Sequence, residues 1–179
     1  MLGLSAPVKL PREDIHRLFE LLARELAGEG VVGEVYLVGG AVMCLALNAR
    51  AATRNVDAFF RPSRIIRQAA ARVAEQVGTR ADWLNDAVKG FMGRRGKFET
   101  YLELPNLRVF VALPEYLLAM KCASLRLGEE FHDLEDVRYL LRHLNITGVA
   151  EAFRIVAMYF EEASIPAKTR YVLEELLPG

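Results

Sequence analysis

The chain has few of the features that would hold it together covalently or place it outside the cytoplasm. Its 179 residues include only two cysteines, Cys44 and Cys122, and each lies inside an apolar helical pattern. Isolated thiols of this kind fit neither a disulfide framework nor a zinc site, and they suit a reducing compartment. The N-terminus lacks the basic start and apolar run of a signal peptide, and no window reaches about 18 consecutive apolar residues. The sequence therefore predicts a cytoplasmic protein without a membrane span.

Net charge is also absent, since 23 lysines and arginines balance 23 aspartates and glutamates. This balance excludes a protein held on nucleic acid by overall charge alone, although it leaves room for a local basic patch. Hydrophobic residues make up 53% and charged residues 26%, as in an ordinary globular protein. Because no repeat, low-complexity tract or long linker interrupts the chain, the sequence predicts a single domain over residues 1–179.

Strand patterns are confined to the first two thirds of the chain, and helical patterns continue to its end. This distribution predicts an α/β (α+β) fold, a mixed sheet flanked by helices, with a sheet core over about residues 12–113 and a helical part over about 114–179. The predicted strands are Val35–Val38, Val56–Phe60, Phe98–Leu104 and Leu107–Ala112. The predicted helices are one between Pro11 and Gly28, Ala41–Ala49, one from Pro62 to Gly78, and then about 114–127, 131–144, 147–163 and 166–177, with residues 81–92 irregular.

Gly39 and Gly40 stand between a predicted strand and a predicted helix. Glycines let the backbone approach a ligand closely, and the start of a helix offers N–H groups to a phosphate. A pair of glycines at such a junction is also a common tight turn. The junction is therefore a candidate phosphate site that needs a second feature to support it.

Asn55 and Asp57 supply that second feature. They lie two residues apart on a predicted strand, so their side chains are expected to project from one face. Oxygen ligands beside a phosphate-binding turn suit Mg²⁺, which is held in proteins by one or two carboxylates together with substrate phosphates. The alternative is that Asn55 caps the turn and Asp57 is a solvated residue at a strand end.

The order of strand, Gly-Gly, short helix, threonine and acid-bearing strand resembles the nucleotidyltransferase superfamily. It looks most like the minimal, toxin-type branch that includes the AbiEii-type abortive-infection toxins and related uncharacterised bacterial domains. The resemblance implies Mg²⁺-dependent transfer of a nucleotidyl group from a nucleoside triphosphate to an RNA such as transfer RNA, a protein or a small molecule. It also implies a toxin of a toxin–antitoxin or phage-defence system, with a cognate antitoxin as a partner. On this resemblance Gly39, Gly40 and Thr53 bind the nucleotide, and Asp57 binds the metal.

The first acid of the family's acidic pair is replaced by Asn55. A neutral amide oxygen is a weaker metal ligand than a carboxylate, so this position departs from the pattern. One interpretation is an active enzyme with Asn55 as a poor metal ligand, and the other is a catalytically silent fold that binds a nucleotide or a partner protein. The family commonly takes a third metal-binding acid from a later strand, and Glu103 is the candidate here unless it simply faces solvent.

Lys121 and Asp133 extend the resemblance, since the toxin-type branch carries a lysine on one helix and an aspartate on the next. Lys121 shares its helix face with leucines, so it needs either an anionic partner or a stem that reaches water. Asp133 is preferred over Asp136 for the aspartate, although it could instead cap its helix. The resemblance assigns catalytic roles to Asp57, Lys121 and Asp133. Replacing Lys121 with methionine is expected to preserve stability, because the two side chains have similar length.

Overall fold

The computed structural model describes residues 9–87, 96–128 and 131–177, and the structure below refers to these residues. Its strands are β1 (Leu10–Pro11), β2 (Gly33–Leu37), β3 (Ala52–Thr53), β4 (Val56–Arg61), β5 (Leu84–Asn85), β6 (Phe98–Leu104) and β7 (Leu107–Ala112). Its helices are α1 (Arg12–Gly28), α2 (Gly40–Leu45), α3 (Ser63–Val77), α4 (Pro114–Ala123), α5 (Asp133–His143), α6 (Val149–Tyr159) and α7 (Ala167–Leu176), with a 3₁₀ turn at Glu162–Ser164.

The main sheet has five strands in the order β5-β4-β2-β7-β6, and β1 pairs separately with β3. The central strand β2 runs antiparallel to β4 and parallel to β7, so the sheet is mixed. The predicted α/β class, a mixed sheet flanked by helices, is confirmed. The short apolar run at Val35–Val38 indicated the central strand correctly, because a strand with neighbours on both sides is buried along its length.

Helices α1 and α3 cover one face of this sheet, and a tight contact at the start of β2 shows how closely they pack. A Cβ on Gly33 would lie 2.8 Å from Leu26 of α1 and 3.0 Å from Ile66 of α3. Trp83 fills the same core, packing edge-on against Phe19 and donating its indole N–H to a carbonyl of α3. The opposite face carries half-exposed side chains, among them Tyr36 and Asp57.

Helix α2 is shorter than the predicted Ala41–Ala49. Arg12 of α1 donates a hydrogen bond to the Leu45 carbonyl at 2.6 Å. A carbonyl at the C-terminal end of α2, which has no partner within the helix, is therefore hydrogen-bonded to a side chain of another element. The chain then turns through Asn48, whose φ of 54° is incompatible with continuing the helix. The two-residue strands β1, β3 and β5 were not predicted, and residues 88–92 of the predicted irregular segment lie outside the described residues.

The described residues divide into two compact units. The first comprises residues 9–87 and 98–111, and the second comprises residues 96–97, 112–128 and 131–177. In the second unit α4 packs against α5 and α6, and every residue of Tyr116–Cys122 is buried. No helix in the described ranges is long and apolar enough to cross a membrane. The single-domain organisation stays a prediction.

Candidate functional site

Gly39 follows β2 and has a backbone conformation that side chains disfavour, with φ 64° and ψ −145°. A Cβ at this position would lie 3.2 Å from Oδ2 of Asp57. Glycine is therefore needed at this turn, because a side chain would take a strained conformation and would meet the carboxylate of Asp57. The Val38 N–H donates to the Asp57 carbonyl at 3.0 Å, so β4 is fixed against the end of β2 at this point.

Gly40 begins α2 and is crowded by two polar side chains. A Cβ here would lie 2.6 Å from Nη1 of Arg50 and 3.0 Å from Oγ1 of Thr53. Thr53 is buried, and its hydroxyl donates to the Asn55 carbonyl at 3.1 Å. The structure thus brings together a guanidinium, a hydroxyl and a carboxylate at two adjacent glycines.

Arg50 is a member of this group that the sequence analysis did not assign to the site. It lies in the loop after α2, and it reaches the start of that helix because the loop returns along α2 to form β3. The signal in the sequence was a basic residue between the glycine turn and Thr53. Such a residue is common in loops, so its distance from Gly40 could be learned only from the fold.

Asn55 lies immediately before β4 rather than on it, since the strand begins at Val56. Burial nevertheless alternates from Asn55 through Phe60, with Asn55, Asp57 and Phe59 half-exposed and the residues between them buried. The backbone carbonyl of Asn55 is held by Thr53. The position of the predicted acidic pair is therefore next to the glycine turn, with Asp57 as its closest member.

Glu103 does not join this group. It lies two residues before the turn of the β6–β7 hairpin, where the Asn106 carbonyl accepts from the Gly33 N–H at the start of β2. The glycine turn follows the other end of β2, about 13 Å along the strand at roughly 3.3 Å per residue. The geometry does not support Glu103 as a ligand shared with Asp57, because the hairpin places it at the opposite end of the sheet.

In the second unit, Lys121 is buried and ion-paired with two carboxylates. Its ammonium lies 3.0 Å from Oδ1 of Asp133 and 2.8 Å from Oδ2 of Asp136. The Lys121 side chain is 10% exposed, and the carboxylates are 2% and 4% exposed. The sequence analysis expected Lys121 to have either an anionic partner or an ammonium that reaches water. The structure shows the first, because two carboxylates pair with the buried ammonium, and the second alternative is wrong.

Asp133 also binds Arg126, which precedes α5. The Arg126 backbone N–H and Nε donate to Oδ2 of Asp133 at 2.9 Å and 3.0 Å. Burial alone would raise the pKa of Asp133, but the hydrogen bonds from Arg126 and the charge of Lys121 outweigh it, so the pKa is lowered. The N-cap of α5 is His132, so Asp133 is the first residue of the helix rather than its N-cap. Lys121, Arg126, Asp133 and Asp136 form what we call the ionic cluster, in which two positive charges meet two negative ones.

Asp136 also belongs to this cluster, although the sequence analysis preferred Asp133 to it. Asp136 is buried, with 3% of its surface exposed. Asp133 and Asp136 are one turn apart on α5, so a single ammonium from α4 reaches both. Lys121 therefore contacts both aspartates, and the functional role of Asp133 stays a prediction.

Two further observations bear on the chemistry. Over the part of the chain that is described, no group of three or more histidine, cysteine, aspartate or glutamate side chains is placed to hold a metal ion. Asp57 is the carboxylate that lies at the glycine turn. Comparisons of this chain with protein-family models, with curated proteins and with solved structures found no match.

Proposed function

We propose that the chain binds the phosphates of a nucleoside triphosphate at the Gly39-Gly40 turn, together with Mg²⁺. It would transfer the nucleotidyl group to an acceptor hydroxyl or other nucleophile, with release of pyrophosphate. The observation that carries this proposal is the meeting of Asp57, Thr53 and Arg50 at the two glycines. A cation, a hydroxyl oxygen and a carboxylate beside a glycine turn are groups that can bind a metal–phosphate complex.

Each of the three side chains has a distinct part in this proposal. Arg50 offers a fixed positive charge to phosphate oxygens, and a guanidinium can donate two parallel hydrogen bonds to them. Thr53 adds a hydroxyl beside the same glycine. Asp57 holds the metal, with Asn55 as a weak second ligand. When bound, Mg²⁺ would neutralise charge that develops on the phosphates during transfer.

Arg50 replaces Lys121 as the cation on which the phosphate site depends. The ammonium of Lys121 is shared by Asp133 and Asp136, so its charge is already balanced within the ionic cluster. The guanidinium of Arg50 lies beside Gly40, and this position at the glycine turn makes Arg50 the candidate phosphate ligand. The catalytic roles of Lys121 and Asp133 stay predictions.

A second candidate is a catalytically silent fold that binds a nucleotide or a partner protein. The observation that favours it is the presence of Asn55 where a second carboxylate would complete a metal pair. Since transferring a nucleotidyl group depends on positioning and charge stabilisation, loss of one ligand weakens transfer more than binding. The acceptor under the first candidate is an RNA, a protein or a small molecule, and a toxin role with an antitoxin partner remains part of the proposal.

Replacing Asn55 with aspartate is expected to raise nucleotidyl transfer by about tenfold or more, which corresponds to about 1.4 kcal/mol of transition-state stabilisation. The affinity for the triphosphate should change less, because the added charge acts chiefly where charge develops. The measurement is transfer of label from α-labelled triphosphates to total RNA and to protein.

The matched control for this experiment is Asn145→Asp, which makes the same chemical change at an exposed turn in the second unit. Its transfer should equal that of the unaltered chain. If label transfer stays at background for both variants with every acceptor while the triphosphate still binds, the silent fold is the correct interpretation.

A further inference from the structure

Four half-exposed aromatic side chains lie together on the sheet face that carries Asp57, within the first unit. Tyr36 of β2 is at their centre, and its ring stacks on that of Phe110 of β7 with 4.7 Å between the ring centroids. Phe59 of β4 and Phe98 of β6 lie 6.0 Å and 5.1 Å from the same ring. We call these four rings the aromatic cluster. A contiguous apolar patch that stays partly exposed commonly marks a site where a ligand or a partner binds.

Phe59 is the member of the aromatic cluster that shares a strand with the candidate phosphate site. Phe59 and Asp57 are half-exposed, whereas Ala58 between them is buried. Their side chains therefore project from the same face, about 7 Å apart along β4. Asp57 in turn lies against Gly39 at the glycine turn. Because a single ribose separates a base from its α-phosphate, the base of a nucleotide held at this turn can reach Phe59.

The ring of Phe59 can accept a flat ligand, whereas the ring of Tyr36 is occupied. Phe110 stacks on Tyr36 with 11° between the ring planes, and the Arg61 guanidinium lies over the Tyr36 ring, 5.5 Å from its centroid. Phe59 is inclined at 46° to Tyr36 and stacks on no other ring of the described residues. On the outer side, β5 pairs with β4 only as far as Asp57, so it does not flank Phe59.

We propose that Phe59 stacks on the base of the nucleoside triphosphate whose phosphates bind at the glycine turn, an inference that rests on the proposed function. Tyr36 holds its neighbour Phe59 in place, because the Tyr36 hydroxyl donates to Glu34 at 2.9 Å and accepts from Arg61 at 3.1 Å. Stacking on an aromatic ring recognises the flat face that every base has. The substrate class is therefore nucleoside triphosphates in general, without strong selection among the four bases.

The test uses two ligands that share a chain of three phosphates and differ in the presence of a nucleoside. These are adenosine triphosphate and inorganic tripolyphosphate, each titrated calorimetrically with Mg²⁺. Phe59→Leu keeps an apolar side chain but removes the ring, so it should weaken binding of adenosine triphosphate about tenfold. Its binding of tripolyphosphate should equal that of the unaltered chain.

The outcomes separate this inference from the proposed function. If Phe59→Leu binds adenosine triphosphate as the unaltered chain does, or loses affinity for both ligands equally, the base does not stack on Phe59 and the inference is overturned, while the phosphate site stands. If the unaltered chain binds neither ligand, the proposed function is overturned and this inference with it.

Two further variants serve as controls. Phe59→Tyr keeps the ring and should bind adenosine triphosphate as the unaltered chain does; a loss equal to that of Phe59→Leu would contradict stacking. Phe153→Leu makes the same change at a half-exposed phenylalanine of α6, in the second unit, and should leave binding of both ligands unchanged. Circular dichroism checks that each variant is folded.

Discussion

Replacing Lys121 with methionine is expected to lower the free energy of unfolding by about 3–5 kcal/mol, the cost of breaking a buried ion pair from one side. The substitution keeps the length of the side chain but removes the ammonium that lies between Asp133 and Asp136. This reverses the expectation from the sequence, which treated the two side chains as equivalent for stability. Denaturant unfolding near pH 7 measures the effect.

The control is Lys168→Met, which removes an exposed ammonium from α7 and should change stability little. A double variant tests the same interaction. Adding Asp136→Asn to Lys121→Met should recover part of the lost free energy of unfolding, because it removes one of the buried charges that have no counter-ion. An unfolding free energy for Lys121→Met equal to that of the unaltered chain would contradict the ionic cluster as described.

The cluster also sets the sign of a pH effect. The folded pKa of Asp133 lies below its ordinary value, so its contribution to stability is fully present above the unfolded pKa of about 3.9. That contribution is lost as the pH falls through the lowered folded pKa. Asp133→Asn should therefore reduce stability near neutral pH and reduce the dependence of stability on pH in acid.

Replacing Gly39 with alanine is expected to abolish triphosphate binding and to destabilise the fold by about 1–3 kcal/mol, the cost of a strained backbone conformation. Alanine would have to adopt the positive φ that glycine has at this position, and its Cβ would lie 3.2 Å from the Asp57 carboxylate. Gly28→Ala is the matched control, since a Cβ at that position meets no other group within 4 Å. Triphosphate binding and a melting curve are measured on both variants. Unchanged triphosphate binding by Gly39→Ala would exclude the glycine turn as the site.

The main elements of the fold could be predicted because their patterns are local. The hairpin strands Phe98–Leu104 and Leu107–Ala112 were predicted with the bounds they have, since their apolar and polar residues flank an obvious Pro-Asn turn. The two-residue strands β1 and β5 left no such pattern. They exist only because distant segments, at Thr53 and at Asp57, lie beside them in the folded chain.

The site was predictable where it depended on neighbours in sequence and not where it depended on topology. Gly39, Gly40, Thr53 and Asp57 meet as expected, because a strand, a turn and an adjacent strand bring them together. Glu103 does not meet them. The sequence alone does not show which end of the β6–β7 hairpin lies beside the glycine turn, and the fold places Glu103 at the other end of the sheet.

Contacts between separate segments of the chain explain the other two differences between the predicted and the observed site. Asp133 was preferred to Asp136 from the sequence, but Lys121, which belongs to α4, contacts both carboxylates. Arg50 was not assigned to the site from the sequence, because only the return of the loop along α2 places its guanidinium at Gly40. Both are contacts between segments that local pattern does not reveal.

Calorimetric titration with the four nucleoside triphosphates, with and without Mg²⁺, tests the central claim most directly. The account predicts Mg²⁺-dependent binding of at least one triphosphate. Asp57→Asn should remove the Mg²⁺ dependence, and Arg50→Gln should weaken binding about tenfold or more, since each 1.4 kcal/mol of lost interaction is one factor of ten. Glu103→Gln, at the other end of the sheet, should bind as the unaltered chain does. No heat of binding with any triphosphate in either condition would contradict the account.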